Sequence, residues 1–299
     1  MAFTTFPEDA ICYIIADIPG LGEFQGSGAI IGPHTILTAA HLLYDAASDT
    51  TADKVSVYPG FTPENGTYNP PGAVPGLQSI HTIKVDDAGD VISAAATQDD
   101  FAVINTSADL SAYGRFALDP AFITGDVVVS GYPAANDGHQ SGLEGVVSQD
   151  PGLSDIDTSA LPLSAGYSGG PLRDNLYRDG QTIPAVVGTV STNLDAMKLT
   201  PRKVALIRHW IAADRSLYAG GTEAPRGLVP QLDGTVTDPQ GDAARLTGPL
   251  GLSAEVSPAP SSDPDATADF ILGPSPLPDP AAVAPVRVFH PGQGYGIDV

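Results

Sequence analysis

An all-β fold, a barrel or a sandwich, is what this sequence predicts, and three observations carry it. Short apolar, β-branched runs recur from about residue 11 to about residue 195. Turn-forming clusters separate them, in a chain with 33 Gly and 28 Pro among 299 residues. No helical periodicity falls between successive runs, which is not how a parallel α/β sheet reads.

The elements follow in order. Ile11-Cys12-Tyr13-Ile14-Ile15 reads as a buried strand, with Cys12 a small core hydrophobe rather than a reactive thiol. Strands are then expected at Ala29–Ile31, Ile36–Thr38, Val55–Tyr58, Ile80–Lys84, Phe101–Asn105, Val127–Tyr132, Gly145–Ser148 and Ala185–Ser191. One helix follows. Thr200 suits its N-cap and Pro201 its first turn. Val204, Ile207, Trp210 and Ile211 recur at helical spacing and make a docking face against the β domain. After about Ser216 the composition changes: 24 of the last 84 residues are Pro or Gly, near the level that marks disorder. The expected organisation is a domain over 1–215 and an acidic, Pro/Gly-rich extended tail over 216–299.

Charge and cysteine content exclude several functions. The balance of 13 Lys+Arg against 35 Asp+Glu gives −22, a field that repels phosphate backbones, so no nucleic-acid partner is expected. A single Cys excludes intrachain disulfides and a Cys-based zinc site. No apolar run reaches the roughly 18 residues of a membrane span.

Three local signals point to chemistry. The first is an apolar hairpin ending in Thr38-Ala39-Ala40-His41, whose small alanines let the imidazole pack closely at a barrel rim. Alone, such a His reads as a core residue; it also suits a general base. The second is Asp100-Phe101-Ala102-Val103-Ile104. An Asp opening a buried strand is often a turn residue, but held inside it accepts a His Nδ1–H and fixes the tautomer. Asp99 reads as solvated. The third is Gly166-Tyr167-Ser168-Gly169-Gly170-Pro171, where glycines permit a tight turn. There the N–H groups of Gly166 and Ser168 suit an oxyanion hole and Ser168 Oγ a nucleophile.

The same segment matches the G-x-S-x-G elbow of α/β hydrolases. That elbow leads into a helix, whereas Pro171 and a new β pattern follow here, and its His comes after the Ser. The order His41, Asp100, Ser168 is that of chymotrypsin-type enzymes.

With these motifs in place, residues from about 8 to 213 resemble a trypsin/chymotrypsin-like serine peptidase of the bacterial glutamyl-endopeptidase (V8-like) branch. The resemblance rests on Thr-Ala-Ala-His ending at His41, Val55-Ser56-Val57-Tyr58-Pro59-Gly60, Asp100–Ile104, Gly131-Tyr132-Pro133, the Gly-Tyr-Ser-Gly-Gly-Pro segment and Val187-Gly188-Thr189-Val190-Ser191. It implies two six-stranded antiparallel β-barrels with the active site in the cleft between them, a C-terminal helix, and peptide hydrolysis through an acyl-enzyme without a cofactor. Two departures stand out. Tyr167 replaces the Asp that, in zymogen-type trypsins, pairs with a freed N-terminal amine, so that switch is expected to be absent. The stretch from Asp157 to Gly166 is longer than in glutamyl endopeptidases.

The resemblance also assigns substrate-binding positions. Pro162, six residues before Ser168, stands where Asp sets basic specificity, and Leu163 is next to it. Val190 stands where glutamate-specific relatives carry His. Ser191-Thr192-Asn193 matches the segment that pairs with substrate backbone, and Asn193 replaces a common Gly, narrowing the pocket. A small or medium neutral P1 residue is expected.

The partner is thus a polypeptide, and the chain is expected to be a monomer. A rival reading is a binding protein with the barrels kept and the chemistry lost; another has the tail lying in the cleft. Asp45, Asp49 and Asp53, and Asp86, Asp87 and Asp90, form clusters of the kind that hold Ca²⁺, but solvated surface acids give the same pattern, and no metal is expected. His34, His81 and His139 show no ligand spacing. The N-terminal stretch lacks the pattern of a secretory signal; secretion without one is the expected location, with the cytoplasm as the alternative.

Overall fold

The computed structural model describes residues 6–63, 74, 78–83, 92–136, 138–178 and 180–214, and the backbone of 229–230, 235–237 and 243–245. In the first half lie β1 (Ile11–Ile18), β2 (Gly22–Gly32), β3 (Thr35–Thr38), the short pair β4 (Tyr44–Asp45) and β5 (Thr50–Thr51), β6 (Lys54–Pro59), β7 (Gln78–Thr82), the one-turn helix α1 (Ala94–Thr97) and β8 (Ala102–Thr106). In the second lie β9 (Ala117–Leu118), β10 (Thr124–Gly131), β11 (Ser141–Gln149), β12 (Asp155–Asp157), β13 (Pro171–Arg178), β14 (Gln181–Val190), β15 (Asp195–Lys198) and α2 (Pro201–Ala213). Three short strands, β16 (Val229–Pro230), β17 (Thr235–Thr237) and β18 (Ala243–Arg245), pair as a small antiparallel sheet. The remaining expectations for the tail lie outside the described residues, as do those for Lys84 and Asp86–Asp90.

Two six-stranded units result, and they close differently. The first sheet has the order β6-β1-β2-β3-β8-β7 and is a half-barrel: among the described residues its edge strands β6 and β7 do not pair. The second runs β13-β10-β11-β12-β15-β14 and returns to β13, so it is a closed barrel, with β9 added in parallel to β14. Each unit has its own apolar core. Ile14, Ile30, Ile36, Leu37 and Ile104 centre the first; Val129, Ile156, Leu172 and Val187 centre the second. Tyr132, Val186 and Met197 come from the second half but pack into the first core, and so join the two.

The terminal helix is built as the sequence predicts. Thr200 Oγ1 accepts from Lys203 N at 3.3 Å, and Val204, Ile207 and Trp210 are buried. Trp210 stacks on His81 with ring centroids 5.6 Å apart. Just past the helix, one carboxylate oxygen of Asp214 accepts from Ser79 Oγ, His81 Nε2 (2.6 Å) and Asn105 Nδ2 (2.9 Å). Burial alone would raise this carboxyl; the His81 bond and charge, with the other two donors, bring it below the ordinary carboxylate range. The helix end is thereby fixed to β7 and β8.

Strand β12 carries a buried polar group without such help. Asp155 is 1% exposed, and neither carboxylate oxygen has a hydrogen-bond partner among the described residues. Burial, with Asp195 and Asp150 adding repulsion, pushes it up to about 7 from the ordinary 3.8. Folded chains therefore hold a proton that unfolded chains release, and stability falls as pH rises through that window. Asp155→Asn is expected to flatten this fall and to stabilise the protein above pH 7 by about 1–3 kcal/mol, read from urea unfolding at pH 5 and pH 8. An unchanged pH dependence would contradict the assignment.

Candidate active site

Strand pairing brings the first two candidates together. Thr38 pairs with Ala102 in the antiparallel β3–β8 ladder. His41 comes three residues after Thr38, in the 3-10 turn Ala40–Leu42, and Asp100 two residues before Ala102. The fully buried Ala39 and Ala40 let that turn lie close against the strands. Asp100, also fully buried, accepts from the His41 backbone N–H at 2.9 Å and from His41 Nδ1 at 2.7 Å. Ser191 Oγ, just past β14, donates to the same oxygen as Nδ1 at 2.5 Å. Burial would raise the Asp100 carboxyl, but the His41 charge and these hydrogen bonds hold it below the usual carboxylate range. An ionised acceptor at Nδ1 leaves Nε2 of His41 as the proton acceptor. The imidazole remains 17% exposed, so substrate can reach it.

The third candidate sits in a loop whose amides divide into two groups. Between residues 166 and 170, Tyr167 N–H donates to Ser164 O, Gly169 N–H to Val190 O and Gly170 N–H to Tyr167 O. The N–H groups of Gly166 and Ser168 have no acceptor among the described residues. This division needs glycine at two places. Gly166 has φ +96° and Gly169 φ +77°. A Cβ at Gly166 would run into Tyr132 O and Ala134 N, and one at Gly169 into Thr38 Oγ1 and Ser27 O. The loop therefore lies directly on the strands that lead to His41. Ser168 O accepts from Ser27 N–H at 2.8 Å, and Ser27 O accepts from Thr38 Oγ1 at 2.7 Å. Ser168 is 6% exposed, and its Oγ is not hydrogen-bonded to His41 Nε2. The arrangement offers an oriented base, a serine on a loop packed against the strands that lead to it and two uncommitted amides, the parts of an acyl-transfer site.

The remaining candidates fall in different places. Leu163 and Val190 are buried in the second core, with Val190 paired across from Ala196. Pro162 is exposed, because Leu161 and Leu163 on either side turn inward. Asn193 lies in the tight β14–β15 turn, where Ser191 N–H and Thr192 N–H both donate to Asp195 O. Ser191 has a second role that its strand-end position alone does not announce, as a donor to Asp100. Ser27 was likewise missed; its only sequence signal is the Gly26-Ser27-Gly28 tripeptide before the His41 hairpin. Tyr167 is buried in the second core. Asp45 accepts from Ser48 and Asp49 from Tyr44, so both acids hold the β4–β5 hairpin. Among the described residues no group of three or more His, Cys, Asp or Glu is placed to hold a metal. His34 Nδ1 bonds Ala108 O at 2.8 Å, His81 anchors α2, and His139 is exposed.

A half-barrel and a closed barrel, with a buried Asp100–His41 couple where they meet, are the architecture of the chymotrypsin-like serine peptidases. A family model described as trypsin-like peptidase domain matches residues 26–181, and the chain belongs to that family. Its fold and family are those of the trypsin-like serine endopeptidases. Among solved structures, a Glu endopeptidase in complex with MPD matches at TM-score 0.53 and 23% identity, covering 70% of this chain and 93% of that one. A thermostable serine protease, AL20, from an extremophilic microorganism matches at TM-score 0.49 and 18% identity, over 70% and 98% of the two chains. The first shows the shared fold. A search of curated proteins gives no match. Among the described residues, no helix is long and apolar enough to cross a membrane.

The Asp100 contacts make a direct prediction. Asp100→Asn keeps the volume but offers His41 Nδ1 a donor or a neutral oxygen, so peptidase activity near pH 7 is expected to fall about 10⁴-fold. Circular dichroism should show a retained fold. A loss below tenfold would separate Asp100 from the chemistry.

Proposed function

We propose that the chain hydrolyses peptide bonds through an acyl-enzyme on Ser168, with His41 as general base and Asp100 orienting it. The observation that carries this reading is the pairing of the buried Asp100–His41 couple with a loop in which only the Gly166 and Ser168 amides lack acceptors among the described residues. Ser168 Oγ attacks the scissile carbonyl as its proton passes to His41 Nε2. The Gly166 and Ser168 amides stabilise the oxyanion. His41 then returns the proton to the leaving amine, and water, activated the same way, releases the acyl group.

Specificity follows from the second barrel. Leu163, Val190 and Ala196 are apolar, and none of them offers a partner to a charged P1 side chain. Cleavage of a degenerate peptide library is expected to favour Ala, Val, Thr and similar neutral residues at P1 over Arg, Lys and Glu. A dominant charged P1 residue would overturn this.

A second reading, a catalytically silent trypsin-like binding protein, is favoured by one observation: Ser168 and His41 are not hydrogen-bonded to each other. Such bonds often tighten only with substrate bound. Fluorophosphonate treatment at neutral pH, read by intact mass, separates the readings. One adduct on the wild type and none on Ser168→Ala is expected. No adduct on either the folded wild type or a folded chain ending at residue 215 supports the silent protein. Labelling of a chain ending at residue 215, but not of the full chain, would make residues 216–299 an inhibitor.

A further inference from the structure

Ser27 stands apart from the residues that would touch substrate, yet every polar atom it has is directed at them or at their supports. It is fully buried in β2 and makes four hydrogen bonds. Its N–H donates to Ser168 O at 2.8 Å and its carbonyl accepts from Thr38 Oγ1 at 2.7 Å. Its hydroxyl donates to Gly166 O at 2.7 Å and accepts from Tyr132 N–H at 2.9 Å. No Cβ competes for this space, since one at Gly131 would lie 2.7 Å from the Ser27 hydroxyl. A single residue of the first sheet thus holds the carbonyls of both residues whose amides lack acceptors, Gly166 O through its hydroxyl and Ser168 O through its backbone N–H.

The geometry of a peptide plane says why this matters. C=O and N–H of one trans peptide point in opposite directions. Ala134 N–H holds Ala165 O at 2.9 Å, so the N–H of the same plane, that of Gly166, points away from Ala134. The next plane, Gly166–Tyr167, is held at its carbonyl by the Ser27 hydroxyl at 2.7 Å and at its N–H by Ser164 O at 3.2 Å. With both planes fixed, Gly166 keeps its φ of +96°. Glycine resists rotation less than any other residue, so with the Ser27 bond gone and only the longer 3.2 Å bond from Tyr167 N–H to Ser164 O left, this plane has neighbouring conformations open to it. Rotation would shift the chain on either side of this plane, and with it the aim of the Gly166 and Ser168 amides.

We infer that Ser27 is a positioning residue for the oxyanion hole: its hydroxyl, acting through Gly166 O and Tyr132 N–H, keeps the Gly166 and Ser168 amides aimed at the developing charge. This rests on the oxyanion role proposed above for those amides. Ser27 acts only through them and does not touch substrate. Losing its hydroxyl therefore weakens transition-state binding more than ground-state binding.

The full-length protein supplies the test, beginning with fluorophosphonate labelling of the wild type at Ser168. Ser27→Ala is expected to lower kcat by about 10–100-fold with KM within about twofold, the scale of a displaced rather than deleted donor. The Ki of a peptidyl aldehyde, whose hemiacetal oxygen occupies the oxyanion site, should rise by the same factor. Ser27→Thr and Ser27→Val have the same shape and differ in the hydroxyl; Thr is expected to retain several-fold more kcat than Val. Should Ser27→Ala not fold, Ser27→Cys keeps the volume with a weaker donor and is expected to show an intermediate loss of kcat. Wild-type kcat in Ser27→Ala or Ser27→Cys, or equal losses in Thr and Val, overturns the inference. If the wild type labels and these variants are unaffected, only the role of Ser27 fails. If neither the folded wild type nor the chain ending at residue 215 labels, the peptidase reading fails and takes this inference with it.

Discussion

One buried carboxylate sets the terms for the site. Asp100 has no exposure to solvent and carries its charge beneath the junction of the two halves. A lone charge so placed would cost several kcal/mol, and in practice would be neutralised by a proton. It stays ionised because three donors converge on it: the His41 backbone N–H, the His41 imidazole and the Ser191 hydroxyl. Two of these come from the turn after β3 and the third from the end of β14 in the other barrel. The same carboxylate that, in the proposed mechanism, orients the base therefore ties the two halves together. A change that separated them would leave Asp100 short of a donor, so the geometry of catalysis and the stability of the junction rise and fall together.

The nucleophile loop is joined across the same junction by neutral groups. Ser27 and Thr38 belong to β2 and β3, whereas Ser168, Gly169 and Gly170 belong to the second half. Relatives described by the zymogen-type pattern use an Asp and a charged N-terminus to fix this loop. Here Tyr167 fills the position with an aromatic ring in the second core, a packing role that needs no ion pair. Fixing the loop then falls to backbone amides and one hydroxyl. These bonds are buried, so each is worth more than an exposed one and costs more when left unmade.

The reach of the sequence follows from the same distinction. His41, Asp100 and Ser168 stood out as candidates because each sits in a local run of marked composition: small alanines, an apolar strand, paired glycines. The helix was legible from Thr200, Pro201 and its apolar spacing. Strands β12 and β15 were not, because Asp155, Lys198 and Asp195 occupy positions where apolar residues would mark a strand, and only pairing with each other and with β11 and β14 defines them. The half-barrel closure was not legible either, since two such units give the same run of strands whether or not their edges meet. Ser27 and Ser191 carry no local mark. Their partners lie 139 and 91 residues away, and a serine announces a hydrogen bond only when its acceptor is near in sequence.

Why a helix should follow the last strand at all is answered by Lys203. Its buried ammonium donates to Lys198 O at 2.9 Å and to Gln98 O, two residues before Asp100. Gln98 in turn accepts from Ser154 N–H of the second barrel at 2.8 Å. Burial pushes the Lys203 amine down to about 8, against the pull of Asp99. A buried lysine is an unfavourable choice for packing alone, and an apolar side chain in the first turn of α2 would serve the core better. Its two carbonyl acceptors give it a different value: they join the helix, the loop entering Asp100 and the end of β15 at one point. The stripe of Val204, Ile207 and Trp210 supplies the adhesion of α2 to the first core, and Lys203 supplies the direction, so the segment bearing the acid is braced from the strand side by His41 and Ser191 and from the helix side by an amine.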